Sequence, residues 1–166
     1  MNRQEIIDTA IRLEEDGRAF YLQAASEATA PAVQEVLRSL ATDEENHIRW
    51  IRETLGPEKS ARELNQETYA RVKGVFAAAP EEAKEAFRAA REDLEPLRLA
   101  LEREREAWKA YEKWAAETED SSLAEILRKL AEVERFHERL LENTILYLED
   151  PASYHQQEEG WLLDGG

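Results

Sequence analysis

Leu40-Ala-Thr-Asp-Glu-Glu-Asn-His47 returns ninety residues later as Leu130-Ala-Glu-Val-Glu-Arg-Phe-His137, with Leu, Ala, Glu and His at the same four places. Each Glu-x-x-His pair follows another glutamate at one fixed distance: Glu14 lies 30 residues before Glu44, and Glu104 lies 30 before Glu134. Residues 11–51 laid over 101–141 without a gap also match Tyr21 with Tyr111, Ala25 with Ala115 and Leu37 with Leu127. The chain reads as one helical hairpin written twice, each copy supplying two carboxylates and one imidazole. Four Glu and two His from four helices form the ligand set of a two-metal carboxylate site inside a helical bundle.

Working outward, Asn2-x-x-Glu5 can cap a first helix, whose apolar spacing runs through Ile6, Ala10, Leu13, Gly17, Tyr21 and Ala24 to an end near Ala28. Pro31 suits the first turn of a second helix, carried by Val33, Leu37, Leu40, Ala41, Ile48, Ile51 and Leu55 and stopped at Gly56-Pro57. Pro96 reads as the start of the third. Ser122-x-x-Glu125 reads as the capping box of the fourth, which Asp150-Pro151 ends. The sequence thus predicts an all-α four-helix bundle over 1–150, with a long crossover over about 56–95 between helices 2 and 3 and a tail over 151–166. Within the crossover, a weak helix is expected over 66–76 and a helical piece over 81–91. The tail has little periodicity, but Trp161, Leu162 and Leu163 can dock on the bundle; Gly165-Gly166 reads as a frayed end.

The six polar residues lie on apolar helix faces. Glu14 shares a stripe with Ala10, Leu13, Gly17 and Tyr21. Glu44 and His47 continue Leu37, Leu40 and Ala41; Glu104 lies between Leu101 and Ala107; Glu134 and His137 lie between Leu130 and Leu141. A carboxylate buried there is costly unless it is paired or bound to metal. The i,i+3 spacing places each Glu and His about 5–6 Å apart at Cβ. The turns near Ala30 and Asp120 are midway between the ligands of each hairpin, which brings each trio level about 24 Å from its turn. Four carboxylates are neutralised by two divalent cations if both imidazoles are neutral. Mixed carboxylate and imidazole donors suit iron or manganese better than magnesium, calcium or structural zinc. Tyr21 and Tyr111, two turns beyond Glu14 and Glu104, can hydrogen-bond a ligand carboxylate of another helix or serve as ordinary core tyrosines. His155 reads as a surface residue, and Trp50, Trp108 and Trp114 as packing residues.

Composition removes other classes. The net charge is −15, and −11 remains without the four proposed ligand glutamates, so no basic face is offered to nucleic acid. The absence of cysteine excludes disulfides, iron–sulfur clusters, a rubredoxin-type centre and c-type haem attachment. Met1 is the only methionine, which excludes a methionine-ligated haem. No apolar run approaches the roughly 18 residues of a membrane span, and Met-Asn-Arg-Gln-Glu at the start has no signal-peptide character. A cytoplasmic protein is expected.

Glu14-Glu-Asp-Gly-Arg-Ala-Phe-Tyr21 and Leu40–His47 resemble the first half of the rubrerythrin branch of the ferritin-like superfamily, and Glu104-Arg-Glu-Ala-Trp-Lys-Ala-Tyr111 and Leu130–His137 resemble the second. The resemblance covers residues 1–150. It implies that Glu14 and Glu104 each cap one metal, that Glu44 and Glu134 bridge both, and that His47 and His137 bind one metal each. It further implies two iron ions (or iron and manganese) per chain, and peroxide or dioxygen and ferrous iron as reactants. Members either reduce hydrogen peroxide or oxidise ferrous iron with dioxygen. Two departures are visible. The chain lacks the cysteine-ligated rubredoxin domain that serves as electron entry, so its electron donor is unknown. Ala107 stands where rubrerythrins place a further carboxylate, and its repeat partner is Gly17. Both are small, which leaves room near a ligand or allows close helix packing.

The sequence therefore points to di-iron redox chemistry of ferroxidase or peroxidase type. The rival is a metal-stabilised scaffold that docks partners through the tail or the crossover. A homodimer is expected from the resemblance and from the apolar residues Tyr69, Val72, Val75, Phe76 and Phe87.

Overall fold

A computed structural model of the chain describes residues 1–55, 90–150 and 153–154. Four long helices account for almost all of them: α1 (Arg3–Glu27), α2 (Pro31–Leu55), α3 (Leu94–Glu117) and α4 (Ser121–Glu149). The expected helix over 66–76, all of the piece expected over 81–91 except its last two residues, the apolar residues invoked for a dimer, His155 and the Trp161 segment lie outside the described residues. No described helix is long and apolar enough to cross a membrane.

The first helix starts as its sequence predicts. The Asn2 side chain accepts from Glu5 N at 2.9 Å while Glu5 accepts from Asn2 N at 2.7 Å, which satisfies two amides the helix itself cannot. Two other starts differ from the sequence reading. A short 3-10 turn, Ala90–Asp93, leads into α3, which begins at Leu94 instead of Pro96. Proline still falls in the first turn, where backbone N–H groups have no intrahelical partner. At α4 the cap is Asp120, not Ser122: its carboxylate accepts from Ser122 N at 3.0 Å and Leu123 N at 3.1 Å. An ionised side chain facing the positive helix end outcompetes a hydroxyl two residues further in.

Each hairpin turn is pinned by the start of the other hairpin. Arg3 Nε binds Asp120 Oδ2 at 2.9 Å beside the α3–α4 turn. Its repeat partner, Asp93, is buried against the α1–α2 turn and accepts from Thr29 N and Ala30 N, each at 2.8 Å. The α1–α2 turn therefore lies at the end of the bundle where α3 begins, and the α3–α4 turn at the end where α1 begins. Consequently α2 and α3 run parallel, and the chain leaves α2 at one end and re-enters α3 at the other. A helix of 25 residues is about 37 Å long, which sets the span to be crossed.

Two apolar clusters fill the bundle. One, with Leu37, Leu40, Leu97, Ala100, Leu141 and Tyr147, packs toward the α1–α2 turn. The other, with Ile6, Ala10, Ile51, Tyr111, Leu123 and Leu127, packs toward the α3–α4 turn. Each fully buried leucine contributes about 1.5–3 kcal/mol. Tyr154, unmarked by the sequence pattern, is buried against Tyr147 with ring centroids 5.2 Å apart. Between the two clusters lies a layer of ionisable side chains.

Candidate metal centre

Glu14, Glu44, His47, Glu104, Glu134 and His137 form that layer, and none is more than 3 % exposed. Their helices explain the convergence. Glu44 and His47 are one turn apart on the buried face of α2, Glu134 and His137 repeat this on α4, and Glu14 and Glu104 project from α1 and α3 at the same level. All six sequence-predicted residues are brought together.

The donors fall into two overlapping groups: Glu14, Glu44, His47 and Glu134, and Glu44, Glu104, Glu134 and His137. In each group the donor atoms lie within 4.8 Å of one another, and Glu44 and Glu134 belong to both. Both histidines present Nδ1 to the cluster. His47 Nδ1 is 3.0 Å from Glu14 and 3.2 Å from Glu134; His137 Nδ1 is 3.1 Å from Glu134 and 3.5 Å from Glu44. The two rings stack at 5.4 Å with 16° between their planes.

Tyr21 of α1 donates to Glu104 Oε1 of α3, and Tyr111 of α3 donates to Glu14 Oε1 of α1. Each hydroxyl thus makes a hydrogen bond to a carboxylate of another helix, the contact that one of the two sequence readings allowed. Burial, followed by the Glu104 charge for Tyr21 and the Glu14 charge for Tyr111, raises both phenols, so both remain protonated donors.

Burial and mutual charge shift every member of the layer. Burial and the Glu44 and Glu134 charges raise Glu14 well above the ordinary carboxyl range; burial and the Glu134 charge do the same for Glu104. Burial works against both imidazolium ions, yet both histidines are raised, His47 by Glu134 and His137 by Glu104 and Glu134. Glu44 and Glu134 are lowered in spite of burial, Glu44 by bonds from Glu14 and both imidazoles and Glu134 by the two imidazolium charges. These shifts favour protons on Glu14, Glu104 and both imidazoles and negative charge on Glu44 and Glu134. Divalent cations bound among the same groups would displace those protons.

The residues fit a metal pair. The donor set is the mixed oxygen and nitrogen type suited to iron and manganese. Glu134 Oε1 is buried without a hydrogen-bond partner: His47 Nδ1 is near it, but not in bonding geometry. A buried oxygen in that condition is costly unless a cation completes it.

A cavity of about 60 Å³, walled mainly by α1 and α3, reaches the cluster and is lined by residues that include Gly17, Ala107 and the carboxylates Glu14, Glu44, Glu104 and Glu134. A Cβ on Gly17 would rest 3.5 Å from Glu44 Cδ, an ordinary contact. Methyl is accommodated there, whereas a longer side chain displaces the shared carboxylate. Both small residues thus face a carboxylate-lined space.

Two residues were missed in the sequence. Asp43, buried on α2, lies 3.3 Å from His137 Nε2. Its signal was position: four residues before His47 and seven after buried Val36, it belongs to the buried stripe. Arg103 also lines the cavity, with its guanidinium 5.2 Å from the Phe20 ring centroid.

Comparison with protein families places residues 5–145 on the model of rubrerythrin. The chain belongs to the rubrerythrin family. No curated protein and no solved structure matches it significantly. For this rubrerythrin-family chain the four helices, the buried Glu/His layer and the parallel α2 and α3 describe a ferritin-like bundle with a candidate metal site.

Proposed function

We propose that this rubrerythrin-family protein holds two iron ions, or iron and manganese, and performs two-electron redox chemistry on peroxide or dioxygen, as a ferroxidase or a peroxidase. Glu14 and Glu104 would each serve one metal, Glu44 and Glu134 would serve both, and His47 and His137 would each bind through Nδ1. A bound dimetal pair supplies the electrons; the protein supplies geometry, exclusion of water and orientation. Tyr21 and Tyr111 hold Glu104 and Glu14 in place and keep a phenolic proton beside each carboxylate. The apolar clusters on either side keep bulk water out.

The observation that carries this reading over a structural metal scaffold is the cavity. It extends past the four carboxylates to Gly17, Arg103 and Ala107, outside the donor set, and its volume of about 60 Å³ is several times the roughly 10–15 Å³ needed to hold one water, which leaves room for a small oxidant. A purely structural site has no need of such an opening. The test is stopped-flow spectroscopy of the anaerobic ferrous protein mixed separately with peroxide and with aerated buffer. Oxidation faster than that of free ferrous iron is expected with at least one oxidant, and the preferred one separates peroxidase from ferroxidase. If neither reacts faster, the scaffold is the better account.

A further inference from the structure

The repeat makes the two metal positions nearly equivalent on their carboxylate side. Glu14 is oriented by Tyr111 and Glu104 by Tyr21, while Glu44 and Glu134 are common to both. The imidazole side is different. His137 Nε2 faces Asp43 Oδ2 at 3.3 Å, and both residues are buried. Ninety residues on from Asp43, where the same contact to His47 would originate, stands Val133, which has no side-chain acceptor.

We infer that Asp43 is a positioning residue that makes the two metal positions unequal, the one served by His137 being the tighter. Asp43 accepts from Nε2–H. That fixes the tautomer with its lone pair on Nδ1, the nitrogen turned toward the carboxylates. A carboxylate there also makes the imidazole more basic and holds its ring in place. Partners of this kind change metal affinity by about 10–100-fold. Loading is then ordered: the first cation enters the Glu104/His137 side, and the second completes the Glu14/His47 side. The inference rests on the proposed two-metal site.

The experiment titrates the metal-free full-length protein with Mn²⁺ against a competing chelator, with electron paramagnetic resonance reporting isolated ions before coupled pairs. Wild type should bind in two steps that differ by about tenfold or more. His137→Gln should abolish the tight step and His47→Gln should retain it. Asp43→Asn should bring the two affinities together, and Val133→Asp should tighten the weaker step. The second variant decides the matter if the first fails to fold, as judged by circular dichroism. Two equal steps in wild type, a ratio unchanged in Asp43→Asn, or a tight step lost with His47 instead of His137 each overturn the inference while leaving two bound metals intact. Absence of Mn²⁺ binding altogether contradicts the two-metal reading itself, and with it this inference.

Discussion

Tyr21 on α1 donates its phenolic hydrogen to Glu104 on α3, and seven residues away along both helices Tyr111 on α3 donates to Glu14 on α1. This crossed pair makes α1 and α3 antiparallel neighbours and gives each terminal carboxylate one oxygen committed to a tyrosine and one available to the cluster. Hydroxyl removal leaves a buried carboxylate oxygen without its donor, at about 1–3 kcal/mol. Tyr21→Phe and Tyr111→Phe should each weaken the binding of one metal by about tenfold, at similar magnitude, in chelator competition. Unchanged affinities in both variants would return these residues to the role of ordinary core tyrosines.

The directions of the shifts within the Glu/His layer have a consequence for pH. His47 and His137 are raised above 6.5, and Glu14 and Glu104 above 4.5, so the folded protein holds these protons more tightly than the unfolded chain. The stabilisation they give is complete below those ordinary values and is lost as pH rises through the folded ones. Glu44 and Glu134, lowered from 4.5, act oppositely and lose their contribution only as pH falls through their folded values. Metal-free protein should therefore melt at lower temperature as pH is raised from about 6.5 to 9. The increment gained on metal loading should grow over the same range, because binding displaces those protons. In weakly buffered solution at neutral pH, two divalent ions should release more than two protons, and at most four. A melting temperature of the metal-free protein that rises across that range would contradict those directions.

Gly17 offers a graded test of the cavity. Its missing Cβ would lie 3.5–3.7 Å from the Glu44 side chain, so Gly17→Ala should fold, bind metal normally and slow oxidant access only moderately. A leucine there would extend from that Cβ toward the Glu44 carboxylate common to both donor groups, so Gly17→Leu should lose metal as well. Ala107→Leu, on the α3 side of the same cavity, is the variant expected to keep about two metals while slowing ferrous oxidation, read by stopped flow beside elemental analysis.

The buried Glu/His layer was legible because three periodicities coincide in it: the 90-residue repeat, the i,i+3 spacing of Glu and His, and the apolar stripe that carries both. Tyr21 and Tyr111 were visible for the same reason. Comparison of the copies hid what only one copy possesses. Asp43 faces Val133 in that alignment and Arg103 faces Leu13, so neither was marked although both approach the site. Asp93 caps a turn more than sixty residues away in sequence, and Asp120 prevails over the local Ser122 signal because its charge and its Arg3 partner are not part of a capping pattern. Long-range contacts of that kind leave no local period to read.

Metal stoichiometry tests the central claim most directly. Protein freed of metal, reloaded with ferrous iron under anaerobic conditions and washed, should contain about two metal ions per chain by elemental analysis, with a raised melting temperature. Glu134→Ala, which removes the carboxylate common to both donor groups, should lower the content toward zero, and His47→Ala should leave about one. Wild-type protein that stays folded and retains essentially no iron or manganese would contradict the account.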